Sequence, residues 1–173
     1  GTPEQMGTAH GALLREKAKR LVETVLYVAG GADTVYSGVW FFDRMQELEK
    51  RTLPHIPPRF LAECAALSKA AGVTQQEGRY GNLFPERFHC SGVAVRGKAS
   101  ANGQVVHARV LDYMRDIHLQ QAAAVVVFMP EGRNKWMSLG YAGFVGSVTA
   151  MNEKHISIGE MGGRGEGNWD GKP

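Results

Sequence analysis

Cys90 is the residue whose type and position point most directly to chemistry. It stands in segment 87–92 (RFHCSG), where a helical pattern gives way to a pattern of short β-strands. A thiol at the start of a strand, just after a loop, lies at the edge of a sheet, where a reacting group can reach it. Most free cysteines are instead small buried apolar residues, and this segment alone leaves both interpretations open.

Two charged residues are expected close to this thiol. Asn102-Gly103 is a strong hairpin signal, since both residues tolerate positive φ. The hairpin returns the next strand alongside the Cys90 strand, so that Arg109 and Asp112 approach the sulfur. A guanidinium beside a thiol favours the nucleophilic thiolate, and a carboxylate can hold an ammonium or orient a proton carrier. The alternative is a surface ion pair worth at most about 1 kcal/mol.

The segment that precedes Cys90 has the apolar spacing of helices. Thr2 and Gln5 form a capping box that begins a first helix, and this helix is predicted to end at Gly30. Gly7 and Gly11 lie four residues apart on it. Because each glycine costs about 1 kcal/mol relative to alanine in a helix, we expect them to allow close packing against another backbone.

Two further helices are predicted before the chain changes period. One covers 33–51, and the other covers 59–71 and ends at Gly72. The residues expected on the buried side of the helix over 33–51 are Trp40, Phe41, Met45 and Leu48.

From Cys90 onward the sequence predicts consecutive short strands joined by turns. They are expected at 91–95, 104–111, 122–129, 135–141, 146–151 and 156–160. Helices followed by hairpin-linked strands indicate an α+β fold with an antiparallel sheet. The predicted division is a helical region over 1–89 and the beginning of a β-sheet region over 90–173.

Composition excludes several classes of protein. The 173 residues are 43% apolar and 21% charged, which argues against disorder. Apolar runs are too short for a membrane span, and a net charge of +3 without a basic run argues against nucleic acid. Cys64 and Cys90 are too few for a disulfide framework and leave the compartment open between exported or periplasmic and cytoplasmic. No further cluster completes a metal site with His89, so no metal or cofactor is predicted.

Four motifs occur in an order that is known from one group of enzymes. They are G-x-P-x-x-x-G-x-x-H-G over 1–11, Asn82 ahead of the cysteine, Cys90 followed by an Asn-Gly turn and A-R-x-L-D-Y over 108–113, and G-x-x-G with M-N-E over 143–153. Together they resemble the acyl-coenzyme A:6-aminopenicillanic acid acyltransferase family, which is related to the choloylglycine hydrolases. These proteins are N-terminal-nucleophile cysteine hydrolases.

The resemblance implies a four-layer αββα sandwich of which only the N-terminal half is present. The glycine-rich end of the sequence has no closing element, and we therefore expect a fragment whose principal partner is its own C-terminal half. A homo-oligomer is left open. Residues 1–89 would be a propeptide that stays bound as a helical subunit.

The resemblance also implies a chemistry. A zymogen would cut its own His89–Cys90 bond, and the freed Cys90 would supply the sulfur as nucleophile and its α-amino group as base. Arg109 would favour the thiolate and Asp112 would hold the ammonium. The substrate would be a small-molecule acyl amide or acyl thioester, attacked to form an acyl-enzyme. No residue of this resemblance identifies the acyl group.

Two departures concern the end of the motif. The asparagine of M-N-E is Asn152 in this sequence, and it is expected either in the site or as a turn former. In the family a later asparagine faces the oxyanion, and the corresponding position here is Gly162. His155 stands where the family has glycine, so we expect positive φ there.

Two other hypotheses remain. The chain is alternatively a non-catalytic or uncleaved scaffold or binding relative with the same fold. A papain-like thiol enzyme would instead place His107 or His118 beside the sulfur.

Overall fold

A computed structural model describes residues 1–84, 90–111 and 117–161. The helices lie before residue 84 and the strands lie from residue 90 onward, with one short 3₁₀ turn among them at Leu119–Ala122. The helices are α1 (Pro3–Leu13), α2 (Arg15–Glu23), a π-helical segment (Thr24–Ala29), α3 (Gly30–Ser37), α4 (Phe41–Thr52), a 3₁₀ turn (Leu53–His55), α5 (Pro58–Ala71) and α6 (Gln75–Leu83). The predicted α+β class is confirmed.

The beginning of α1 and its close packing are as predicted. The Thr2 hydroxyl accepts from the Gln5 backbone N–H, and the Gln5 side chain accepts from the Thr2 N–H, which completes the capping box. A Cβ atom on Gly7 would lie 2.2 Å from the Glu63 carbonyl oxygen, and one on Gly11 would lie 2.5 Å from the Leu67 carbonyl oxygen. The two glycines therefore let α1 lie directly on the backbone of α5.

The predicted end of the first helix at Gly30 is wrong. Gly30 keeps helical angles, and the chain continues into α3 until Gly38, which has φ +70°. A Cβ on Gly30 would lie 2.5 Å from the Phe41 ring, so this glycine allows an aromatic side chain to approach. The predicted helix over 33–51 is consequently two helices, α3 and α4, which are separated by residues 38–40.

The predicted buried side of that region is mostly confirmed. Phe41 and Met45 are buried in the core, and Leu48 packs against it. Trp40 is 55% exposed because it lies at the N-cap of α4, outside the helical face that points inward. The third predicted helix is α5, and Gly72 ends it in the left-handed conformation with φ +79°.

Helix α6 was not predicted. Thr74 and Glu77 form a second capping box at its beginning. Two glycines, Gly78 and Gly81, weaken the helical pattern of this segment. Gly78 is required by packing, since a Cβ there would lie 1.9 Å from the Ser68 hydroxyl oxygen on α5.

The strands form two antiparallel sheets. Strands β1 (Cys90–Gly97) and β2 (Gly103–Leu111) make a hairpin, and β3 (Ala123–Phe128), β4 (Trp136–Tyr141), β5 (Thr149–Asn152) and β6 (Ser157–Gly159) make a four-stranded meander. The hairpin predicted at Asn102-Gly103 is confirmed, with Gly103 at φ +75°. Strand β5 begins later than expected because Gly146, at φ +114°, belongs to the preceding turn.

The buried core joins helices to the sheet region. Its largest cluster comes from the α2–α3 segment, α4 and α6, and it includes two residues from just before β3, Ile117 and Leu119. A smaller cluster places Ala18, Leu67 and Ala71 against Ala122 and Ala142. Within the described residues, no helix is long and apolar enough to cross a membrane.

Replacing Gly7 with alanine tests the packing of α1 on α5. We expect Gly7→Ala to lower the free energy of unfolding by about 1–3 kcal/mol, because the new methyl group overlaps backbone atoms that cannot rotate away. Gly31→Ala is the matched control. Apart from its own helix backbone, no described atom lies within 4 Å of a Cβ at Gly31, so alanine there should raise stability by up to about 1 kcal/mol. Urea unfolding measures both, and equal effects would contradict the packing argument.

Glu63 makes stability depend on pH. It is 4% exposed, its Oε1 has no hydrogen-bond partner among the described residues, and burial raises its pKa to about 7. This carboxyl group therefore supports the fold when protonated, and its contribution is lost as pH rises from about 4.5 through about 7.

Glu63→Gln should consequently be more stable than the wild type at pH 8, by roughly 2 kcal/mol, because no charge is then buried. The difference should shrink toward pH 5. Thermal unfolding across this range is the measurement, with the exposed Glu47→Gln on α4 as control. A gain in stability that does not change with pH would contradict the assignment.

Candidate functional site

The β1–β2 hairpin brings the predicted pair together. Its register pairs Cys90 with Leu111 and Gly92 with Arg109, so the end of β2 lies beside the beginning of β1. Nη2 of Arg109 is 2.7 Å from Sγ of Cys90. The predicted approach of Arg109 to the thiol is confirmed, and the thiol itself is half-buried.

Arg109 also joins the hairpin to the segment after β6. Its Nη2 donates to Oε2 of Glu160 at 2.9 Å, and its Nε donates to the Glu160 carbonyl oxygen at 3.0 Å. The Arg109 side chain is only 4% exposed. A buried guanidinium requires an anionic partner, and here it has both the Glu160 carboxylate and the sulfur within reach.

Glu160 is a site residue that the sequence analysis missed. Its Oε2 lies 3.6 Å from Sγ of Cys90, where the thiol can donate to it. Its negative charge opposes formation of a thiolate, whereas the charge of Arg109 favours it. Glu160 lies at the end of the last predicted strand, and only the packing of β6 against β2 brings it to the cysteine.

A narrow apolar cavity opens beside Cys90. It has a volume of about 50 Å³, and Cys90 and Glu160 are among its lining residues. Its walls are almost entirely hydrocarbon and come from α2, the π-helical segment, α6 and the β4–β5 connection. The apolar lining includes Leu21, Val22, Val25, Phe84, Leu111, Leu119, Tyr141, Phe144 and Val148. Burial raises the pKa of Tyr141, so its hydroxyl keeps its proton at neutral pH.

One wall of the cavity is the turn 142–146, and two helical side chains hold it. The Gly143 N–H donates to Nε2 of His10 at 3.1 Å. Nδ2 of Asn82 donates to the Gly143 carbonyl oxygen at 3.0 Å, and Oδ1 of Asn82 accepts from the Val145 N–H at 2.6 Å. His10 and Asn82 belong to the motifs of the sequence, but nothing in the sequence indicated these partners.

Asn152 lies elsewhere and makes a turn. Its Oδ1 accepts from the backbone N–H groups of Lys154 at 2.9 Å and Ile156 at 3.0 Å. It lines a different cavity, together with Trp136 and Ile158. The geometry therefore favours the alternative in which Asn152 forms a turn. His155 has φ 60°, as predicted for the position where the family has glycine.

The structure describes only some of the remaining residues that the sequence predicted for the site. His89, Asp112 and Gly162 lie outside the described residues. His107 Nδ1 is 3.0 Å from the Ser157 hydroxyl oxygen, and His118 lines a cavity beside α2. These contacts give no support to a papain-like pairing with the sulfur. Among the described residues, no group of three His, Cys, Asp or Glu side chains could hold a metal ion.

Comparison with known proteins gives distant relatives. No family model matches the chain. Protein dcd1B of Dictyostelium discoideum is 25% identical over 89% of this chain, and Protein dcd1A of the same organism is 24% identical over 92% of it. The chain spans only 35% and 42% of the length of these two relatives.

The reactivity of Cys90 tests the site electrostatics. Iodoacetamide is uncharged, so its rate of reaction reports the thiolate population and access to it rather than steering of the reagent. We expect Arg109→Leu to slow alkylation of Cys90 about tenfold at pH 7 and Glu160→Gln to accelerate it several-fold.

Peptide mass mapping separates Cys90 from the buried Cys64. Arg96→Leu is the matched control, since Arg96 is an exposed arginine on the same hairpin. Rates that stay equal in Arg109→Leu and Arg96→Leu would contradict the proposed effect of the guanidinium.

Proposed function

We propose that this chain is the N-terminal part of an autoproteolytic N-terminal-nucleophile cysteine hydrolase or acyltransferase. It would act on a carbon–nitrogen amide bond, or on a thioester, through an acyl-enzyme on Cys90. The observation that carries the proposal is the 2.7 Å approach of the Arg109 guanidinium to Sγ of Cys90, which lines an apolar cavity. A thiol placed between a fixed cation and an apolar cleft is suited to nucleophilic attack on an acyl group.

The first reaction would be the cut that creates the catalytic residue. The Cys90 thiolate attacks the carbonyl carbon of His89, the C–N bond breaks, and the nitrogen of Cys90 gains a proton and becomes an amine. The resulting thioester is hydrolysed by water, which leaves a carboxylate on His89 and restores the thiol. Arg109 supports this step by favouring the thiolate before the amine exists.

After the cut, Cys90 would supply two catalytic groups. An α-amino group has a pKa of about 7.7–8.0, which suits a general base near neutral pH. It would take the thiol proton as sulfur attacks the substrate and return that proton to the departing amine. Asp112 would hold the ammonium form, and water or an acceptor amine would then remove the acyl group from sulfur.

The cavity suggests which part of the substrate lies beside the sulfur. Among the described residues that line it, only Glu160 has a charged side chain, and the other walls are mainly hydrocarbon. An apolar acyl group gains free energy by leaving water there, whereas a charged one would lose its hydration. We therefore propose an acyl amide or thioester whose acyl group is apolar and slender, as the small volume requires.

The four-layer αββα sandwich is part of the same proposal. One face of the four-stranded sheet packs inward through residues such as Phe128 and Ala150, while apolar side chains on the other face remain 44–60% exposed. An apolar sheet face of this kind is normally covered by another layer. The exposed set is Val125, Val127, Met137, Leu139 and Met151.

The occupant that we propose for this face is a second sheet from the protein's own C-terminal half. This chain spans 35% and 42% of the length of the two relatives, which supports the existence of a further segment.

Cys90→Ala tests both reactions. In the full-length protein we expect the wild type to yield a second chain that begins Cys-Ser-Gly-Val-Ala, and Cys90→Ala to remain a single chain without turnover, because the only proposed nucleophile is absent. N-terminal sequencing and intact mass measure the cut, and release of amine from N-acyl amides measures turnover. Cys64→Ala, which removes the buried thiol, should still be cut.

Two results would contradict the proposal. A wild-type protein that remains intact across residues 89 and 90 would favour the non-catalytic, uncleaved scaffold. Turnover that persists in Cys90→Ala would place the chemistry on another residue.

A further inference from the structure

The turn 142–146 forms a wall of the Cys90 cavity, and side chains from α1 and α6 hold it in place. Ala142, Gly143 and Phe144 line the cavity. Gly143 has φ +88°, and a Cβ atom there would lie 3.2 Å from the Cβ of Ala18 on α2. The turn therefore combines a backbone conformation that favours glycine with close contact to a helix, and it needs specific partners to stay in one shape.

His10 and Asn82 hold opposite sides of the same residue. Nε2 of His10 accepts a hydrogen bond from the Gly143 N–H, and Nδ2 of Asn82 donates to the Gly143 carbonyl oxygen at 3.0 Å. Asn82 reaches one step further, because its Oδ1 also accepts from the Val145 N–H at 2.6 Å. Three backbone groups of the turn thus depend on two side chains from α1 and α6.

The surroundings of each side chain set its hydrogen-bonding role. His10 is buried, and burial lowers its pKa, so the ring stays neutral and Nε2 can accept a hydrogen bond. Nδ2 of Asn82 donates at 2.8 Å to the Gly78 carbonyl oxygen, one turn back on its own helix. This bond sets which end of the amide is the donor and which is the acceptor.

We propose that His10 and Asn82 are positioning residues that shape the acyl-binding cavity by holding the turn 142–146 against it. They act through the wall of the cavity and do not touch the sulfur, so they govern how well an apolar group binds rather than how reactive Cys90 is. This inference rests on the proposed function for its substrate, although its test needs no turnover.

The test compares two thiol reagents on the full-length protein. Iodoacetamide reports the reactivity of Cys90, and N-propyl iodoacetamide reports the same reactivity together with binding of a short alkyl chain in the cavity. In His10→Leu and Asn82→Leu we expect the ratio of the N-propyl rate to the iodoacetamide rate to fall about three- to tenfold. The iodoacetamide rate itself should stay within about twofold of the wild type.

Conservative variants separate positioning from general loss of structure. Gln Oε1 can accept the Gly143 N–H, so His10→Gln should recover most of the wild-type ratio. Asn82→Asp keeps an acceptor for the Val145 N–H and loses the donor to Gly143, so its ratio should stay low. This pair carries the test if the leucine variants do not fold. Ser68→Ala is the control, because it removes a buried hydrogen bond within α5, to the Cys64 carbonyl oxygen at 2.7 Å.

Amide hydrogen exchange gives an independent measurement. The Gly143 and Val145 amides should exchange faster in the leucine variants and should keep wild-type rates in Ser68→Ala. The inference is overturned if His10→Gln has as low a ratio as His10→Leu, if Asn82→Asp keeps the wild-type ratio, or if exchange at these two amides does not change. Because alkylation requires neither the cut nor turnover, such a failure is distinct from a failure of the proposed function, which Cys90→Ala detects.

Discussion

The buried guanidinium of Arg109 is the interaction on which the site depends. It belongs to the β1–β2 hairpin, and its two partners on Glu160 belong to the segment after β6, so one side chain connects the two sheets. Without an anionic partner, a cation this deeply buried would cost several kcal/mol. The packing of the sheets and the environment of the Cys90 sulfur are therefore set by the same charge.

Local signals predicted the parts of the fold that depend on local physics. Thr2 and Gln5 predicted a helix start, Gly72 predicted a helix end, and Asn102-Gly103 predicted a hairpin whose register brings Arg109 to Cys90. Gly30 misled the prediction because its absent side chain allows an aromatic ring to approach, a need that arises only when the helices pack. Helix α6 was missed for the same reason at Gly78.

Only the part of the candidate site that lies within one hairpin was predictable from the sequence. Cys90 and Arg109 are joined by β-pairing, which sequence spacing specifies. Glu160 and the apolar cavity depend on contacts between segments far apart in the chain, and no periodicity encodes such contacts. Asn152 illustrates the opposite case, since a short-range turn explains its position fully.

The bonds from His10 and Asn82 to the turn 142–146 have a consequence for the connectivity of the molecule. They join residues on either side of the segment 85–89, and Ala18 adds direct packing across the same boundary. Hydrolysis of a peptide bond in that segment would leave all of these interactions intact. The product would be a heterodimer made from one gene product, and these contacts would still join its two polypeptides.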